Sequence, residues 1–352
     1  MKYAILLSFC FLLLNCKQKE TPSETITSAT THTSKTEASS GLTIVFASCS
    51  DQEREQPLWK PILENNPDLF IWGGDNIYAD TDDMAKMEAD YKKTKAHPDY
   101  QKLLSATPVV GTWDDHDFGK NDAGKEWIKK DEAQTLLLNF LDVPENDERR
   151  SRPGVYTSKT IEGGGGAVKV ILLDTRYFRD PLKESNTEGR RYDDWSIEES
   201  GTILGAAQWQ WLEEELQDSV PTFTMIVSSI QFLSKEHGWE KWGNHPSEVQ
   251  KMYDVLETAK ARNIFMVSGD RHMAEISVNI DVPLPYPLVD FTSSGLTHTW
   301  PTYGTEGNEY RVSNIIKRLN FGVMHFDFEK KRITFEIRGR DNFLYEQFQQ
   351  QY

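Results

Sequence analysis

Apolar residues fall in short runs along this chain, and four of the runs stop at clusters of acids, arginines and histidines. Phe70-Ile71-Trp72, Val109-Val110-Gly111, Val170-Ile171-Leu172-Leu173 and Phe265-Met266-Val267 have the length and the β-branched or aromatic content of buried strands. After them come Gly74-Asp75-Asn76-Ile77-Tyr78, Trp113-Asp114-Asp115-His116-Asp117, Asp174-Thr175-Arg176 and Gly269-Asp270-Arg271-His272. In a layered α/β fold the carboxyl ends of neighbouring strands line one crevice, so residues two hundred positions apart meet there.

The same pattern predicts further strands at residues 42–47, 156–161, 223–227, 323–328 and 332–337, and helices at 57–65, 83–95, 125–141, 206–217 and 247–262. Four glycines at 163–166 predict a hairpin with a loose turn between strands 156–161 and 168–173. They are no phosphate loop, because no Gly-Lys-Ser/Thr follows them. Strands with interspersed helices predict two mixed sheets packed together and covered by helices outside, as a single domain over residues 42–352.

The start of the chain reads differently. Lys2, an apolar run over residues 3–14 and Leu13-Leu14-Asn15-Cys16 resemble a bacterial lipoprotein signal. Residues 1–15 are expected to be a signal peptide, Cys16 the lipidated residue, and residues 16–41, rich in Thr, Ser, Lys and Glu, a disordered tether. The expected location is periplasmic or at the cell surface, anchored to a membrane without spanning it, since a span needs roughly 20 apolar residues. Of three cysteines, only Cys49 then belongs to the folded part. No internal disulfide can form there, and the thiol is either inert or used as ligand or nucleophile. A net charge of −16 argues against a nucleic-acid partner. It does not exclude a phosphate substrate, because cations held by clustered carboxylates invert the local potential. A monomer is expected.

Asp75 on a Gly-Gly turn can bridge two cations through its two oxygens with Tyr78 turned toward the same site, or can form a plain Asx turn. Asp114 to Asp117 place four polar groups in succession, and adjacent carboxylates repel unless a cation or arginine compensates, which favours metal ligation or proton transfer. His116 suits the role of general acid, and Asn121 follows closely enough to join the site. Asp270 and His272 form an Asp-x-His pair, with Arg271 between them able to reach an anion. Arg176 is read as a phosphate clamp or as a partner of Asp174. His237, Trp239, Trp242 and His245, in a long loop over 230–246, form a substrate wall or simply pack.

Ser48-Cys49-Ser50, Gly74-Asp75-Asn76-Ile77-Tyr78, Trp113-Asp114-Asp115-His116-Asp117, Leu173-Asp174-Thr175-Arg176 and Ser268-Gly269-Asp270-Arg271-His272, in this order, resemble the PhoD-like alkaline phosphatases of the metallophosphoesterase superfamily. The resemblance implies a four-layer α/β/β/α sandwich that hydrolyses phosphate esters by attack of a metal-bound hydroxide. It implies metal ligands at Cys49, Asp75, Tyr78, Asp270 and His272; the residues themselves add Asp115 and Asn121 as expected ligands, His116 assisting the leaving group, and Arg176, Arg271, His237 and Trp242 toward substrate. Fe³⁺ and Ca²⁺ are the implied ions, with Zn²⁺ or Mn²⁺ as substitutes. A phosphodiesterase or phospholipase-type esterase on the same ions is the alternative, and a surface lipoprotein that binds without turnover is a further one.

Overall fold

The structure is a computed structural model that describes residues 41–300 and 306–352; the expected signal peptide, Cys16 and tether lie outside the described residues. Strand and helix alternate first: β1 (Thr43–Ala47), α1 (Trp59–Glu64), β2 (Leu69–Gly73), α2 (Met84–Lys95), α3 (Pro98–Ala106), β3 (Val109–Thr112), the one-turn α4 (Asp115–Phe118) and α5 (Lys130–Phe140). Next come β4 (Thr157–Gly163), β5 (Gly166–Leu172), the two-residue β6 (Lys183–Glu184) and β7 (Tyr192–Asp193), α6 (Gly205–Glu215), β8 (Phe223–Val227), α7 (Pro246–Thr258) and β9 (Ile264–Ser268). The chain closes with β10 (Ala274–Asn279), β11 (Leu288–Ser293), β12 (Phe321–Asp327), β13 (Arg332–Arg338) and β14 (Leu344–Gln351).

Twelve of these strands form two six-stranded mixed sheets, in the orders β14-β13-β12-β1-β2-β3 and β10-β11-β9-β8-β5-β4. β1, β2 and β3 run parallel with Ala47 beside Trp72 and Trp72 beside Gly111, so their carboxyl ends finish level. β5, β8 and β9 do the same in the other sheet, with Leu172 beside Val227 and Val227 beside Val267.

Side-chain alternation builds the layers. Ile44, Phe46, Leu69 and Ile71 face Val170, Leu172, Met225, Val227 and Val267 between the sheets. The intervening residues Val45, Phe70 and Trp72 pack outward against Trp59 of α1, Tyr91 of α2, Tyr100 of α3 and Leu137 of α5. On the far side, Ile171, Ile226 and Met266 pack against Trp209 and Leu212 of α6 and Met252 and Leu256 of α7. The result is the helix, sheet, sheet, helix sandwich. Among the described residues no helix is long and apolar enough to cross a membrane.

The structure departs from expectation locally. The 163–166 turn is tight, not loose: Gly163 pairs with Gly166, and Gly164 and Gly165 both take positive φ, 56° and 87°, as a two-residue type I′ turn demands. The helix expected from 125 starts at Lys130, because residues before it turn back, with the Lys125 N–H on the Arg179 carbonyl. α3 was not expected, although Pro98 at its first turn is a start signal. β10, β11 and β14 were not expected either; polar Glu275, Ser277 and Asp290 interrupt the first two, yet all three are buried.

Candidate metal centre

The exits of β1, β2, β3 and β9 bring Cys49, Asp75, Asp114, Asp115, Asp270 and His272 to one place. Cys49, Asp75, Asp270 and His272 all take left-handed φ values, 61°, 52°, 66° and 52°. Each such non-glycine residue costs on the order of 1–3 kcal/mol, and persists because its surroundings fix it. Ser50 N–H donates to the Asp75 carbonyl at 2.8 Å, joining the first two exits, and Gly269 N–H to the Ser229 carbonyl at 3.0 Å, joining β9 to β8. At Gly269 the exit of one sheet lies close against the other: a Cβ there would stand 2.7 Å from Ser48 Oγ and 2.9 Å from the Gly73 carbonyl oxygen. The Asp117 carboxylate accepts from the backbone N–H of Asp114 at 2.7 Å and of Asp75 at 3.1 Å, and from Asn76 Nδ2 at 2.6 Å. Asp117 therefore ties two strand exits together and has no oxygen to spare for an ion.

Among the described residues, three sets of side chains have ligand atoms within 4.8 Å of one another: Cys49, Asp75 and His272; Asp75, Asp115 and His116; Asp114, Asp115 and Asp270. Asp75 is shared by the first two. Cys49 Sγ is 3.6 Å from Asp75 Oδ2, and the Tyr78 phenol oxygen is 3.2 Å from the same oxygen and 2.9 Å from His272 Nε2. Burial pushes the carboxyls of Asp75 and Asp270, the Cys49 thiol and the Tyr78 phenol well above their ordinary values, and neighbouring acids add to the effect. Burial also drops His272 to about 3, and its Nδ1 finds no hydrogen bond among the described residues. Sulfur, phenol, imidazole and carboxylate donors that resist ionisation where they stand are the set a multivalent cation would deprotonate and hold. The residues fit metal ions.

His116 differs. Burial works against its charge, but Asp115, Asp75 and the hydrogen bond to Asp80 outweigh it and lift the imidazole to about 11. Nδ1 lies 2.6 Å from Asp80 Oδ2, and the ring packs on Tyr78 with centroids 4.2 Å apart.

A cleft opens at the centre, lined by Asp115, His116, Asp270, His272 and Arg271, with the exposed Asn121 at its edge and Trp239 and Trp300 beside them. Arg176 is not presented to it. The guanidinium is fully buried, Nε 2.6 Å from Asp114 Oδ1 and Nη1 2.6 Å from Glu240 Oε2, with Arg179 on the other Glu240 oxygen at 2.9 Å. All three guanidinium nitrogens stand against Asp114 or Glu240, so Arg176 holds Asp114, aided by Ser229 Oγ at 2.6 Å, rather than clamping a ligand. Nor is Asp174 its ionic partner, for that carboxylate takes the Trp113 indole N–H at 2.8 Å and the backbone N–H of Val155 and Tyr177 at 2.9 Å each.

Trp242 and His237 do not form a wall. Trp242 is fully buried, donates its indole N–H to Ser228 Oγ at 3.0 Å and packs on Trp209 and Phe232. His237 is buried and accepts from Trp239 N–H at 3.2 Å, and His245 is buried at the start of α7. Side-chain direction in an irregular loop has no period to read, so the sequence does not separate Trp239, which lines the cleft, from Trp242, which does not. Glu240, Ser229, Asp80 and His298, whose ring is 4.4 Å from His272 and 4.9 Å from Tyr78, also escaped notice. For His298 the signal was its place just past β11, another strand of the same sheet.

The family model of the PhoD-like phosphatases matches residues 44–336. Alkaline phosphatase D of Bacillus subtilis (strain 168) is 22% identical over 315 residues, covering 77% of this chain and 52% of that protein. The chain thus spans about half the length of this curated relative. A solved structure described as PhoD is similar with a TM-score of 0.62 at 16% identity, over 84% of this chain and 65% of that one. A dimetal phosphatase from Danio rerio gives 0.55 at 15% identity, over 88% of this chain and 99% of that one. At these identities the structures speak for the fold.

Proposed function

The chain belongs to the PhoD-like phosphatase family, and from that membership we propose that it is a metal-dependent phosphoesterase that hydrolyses phosphate esters. The observation that carries the reading is the meeting of Cys49, Asp75, Tyr78 and His272 around one Asp75 oxygen, with Asp115 and Asp270 alongside. Cys49, Asp75, Tyr78 and His272 would hold Fe³⁺, which thiolate and phenolate together favour. Asp75, Asp115 and Asp270, with the Asn121 amide at the cleft edge, offer the oxygens Ca²⁺ prefers; Zn²⁺ or Mn²⁺ suits the same mixed set. When bound, such cations neutralise phosphoryl charge and make water a nucleophile near neutral pH.

The chain's own groups orient and protonate. Asp80 accepts the Nδ1 proton of His116, which leaves Nε2–H to protonate the departing alcohol oxygen. Arg271, at the cleft with Nη2 2.8 Å from Glu306, turns positive charge toward a bound phosphate. Arg176 holds Asp114 in place.

The test is hydrolysis of an aryl phosphate by the full chain purified without chelator, alongside metal analysis. Asp75→Ala should lose bound metal and more than about a hundredfold in turnover, the upper end for groups that merely support a ligand. Turnover indifferent to both chelation and Asp75→Ala would overturn the proposal. With Fe³⁺ on Tyr78, a visible charge-transfer band is expected that Tyr78→Phe abolishes.

A further inference from the structure

We infer that Trp239 and Trp300 form a wall that receives the alcohol part of the ester, which makes phosphate esters of aromatic or other apolar alcohols the preferred substrates; the inference rests on the phosphoesterase reading above. The two rings meet edge to face, centroids 5.3 Å apart at 86°, and both line the cleft that holds Asp115, His116, Asp270 and His272. Trp300 is fixed to the centre itself. Its backbone N–H donates to the His272 carbonyl at 3.2 Å, and its ring stands edge-on to the His272 imidazole at 5.5 Å. Trp239 has the Arg271 guanidinium 5.9 Å from its ring centroid, within cation–π range.

Trp300 nevertheless remains 42% exposed, and among the described residues no other large hydrophobic side chain so exposed lines this cleft. An indole left partly in water beside a group of acids gains apolar contact when a ligand covers it. The cleft therefore offers two chemistries side by side: the charged and imidazole groups of the centre for the phosphate, and two indoles for carbon. A phenyl ring covers the indole surface, whereas a small polyol leaves it wet.

Phenylphosphonate and methylphosphonate, neither of which can be hydrolysed as an ester, test the wall by calorimetry on the full chain purified without chelator. The phenyl compound should bind about tenfold more tightly. That preference should fall to near unity in Trp300→Ala and return largely in Trp300→Phe. Trp239→Ala supplies an independent variant on the same wall. In turnover, Trp300→Ala should raise KM for phenyl phosphate by a larger factor than KM for glycerol phosphate, so that the ratio of the two falls with the phosphonate preference. Equal affinities for the two phosphonates, or a preference that neither alanine variant reduces, would overturn the wall. A chain that shows the phosphonate preference yet hydrolyses no ester would support the wall and overturn the phosphoesterase reading.

Discussion

Trp239 and Trp242 stand three positions apart and meet opposite surroundings: one at the cleft, the other sealed between Trp209 and Phe232. Truncating them separates surface from core. Trp242→Ala should destabilise the protein by about 3–5 kcal/mol, read as a fall in the midpoint of urea unfolding, whereas Trp239→Ala should cost less than about 1 kcal/mol. Equal losses would contradict the assignment of one to packing and the other to the cleft. At this scale the sequence spoke clearly wherever a residue followed directly on a strand. Cys49, Asp75, Asp115, Asp270 and His272 were legible because the end of an apolar run fixes both depth and direction. Supporting groups such as Glu240 and Ser229 were not, since their partnership with Arg176 and Asp114 depends on contacts between distant segments.

Among the elements, β13 carries the clearest acid dependence. Burial pushes the Glu336 carboxyl up, but hydrogen bonds from His325 on β12 and from Arg338 outweigh it, so the group falls from an ordinary 4.5 to about 2; Gln347 of β14 donates to its other oxygen at 2.9 Å. A carboxyl whose value is lower folded than unfolded contributes stability that is present above about pH 4.5 and is lost as pH falls toward 2. The contribution is on the order of 1–2 kcal/mol once solvent screening is allowed for. Urea midpoints of wild type and Glu336→Gln, taken from pH 6 to pH 3 (a range set by the value of about 2 and the ordinary 4.5), should therefore converge as the solution is acidified; a constant gap would refute this. Element legibility followed burial. β1, β2, β8 and β9 lie in the sandwich with both faces covered and read as nearly continuous apolar runs, and β5 is broken only by Lys169. β10 hides Glu275 behind Arg311 and Asn308, and β11 hides Asp290 behind the backbone N–H groups of Phe232 and Leu233. A charge satisfied from a remote loop looks, in one dimension, like a surface position.

For the whole molecule, the sandwich was legible because five motifs appear in the order in which two sheets would display them. The reading of Leu13-Leu14-Asn15-Cys16 as a lipidation signal proposes an enzyme tethered at a membrane surface outside the cytoplasm. Cys16→Ser should then move the protein from the membrane fraction to the soluble fraction without altering its specific activity; unchanged partitioning on fractionation would remove the anchor from the proposal. Topology adds a consequence of its own. β1, which delivers Cys49, is flanked by β2 on one side and by β12, residues Phe321–Asp327, on the other. A nascent chain therefore lacks the imidazole until His272 has emerged, and its thiol-bearing strand stays open on one side until β12 follows. On the metal-centre proposal, ion capture waits until both sheets stand together, and the compartment in which they assemble sets which metal is met.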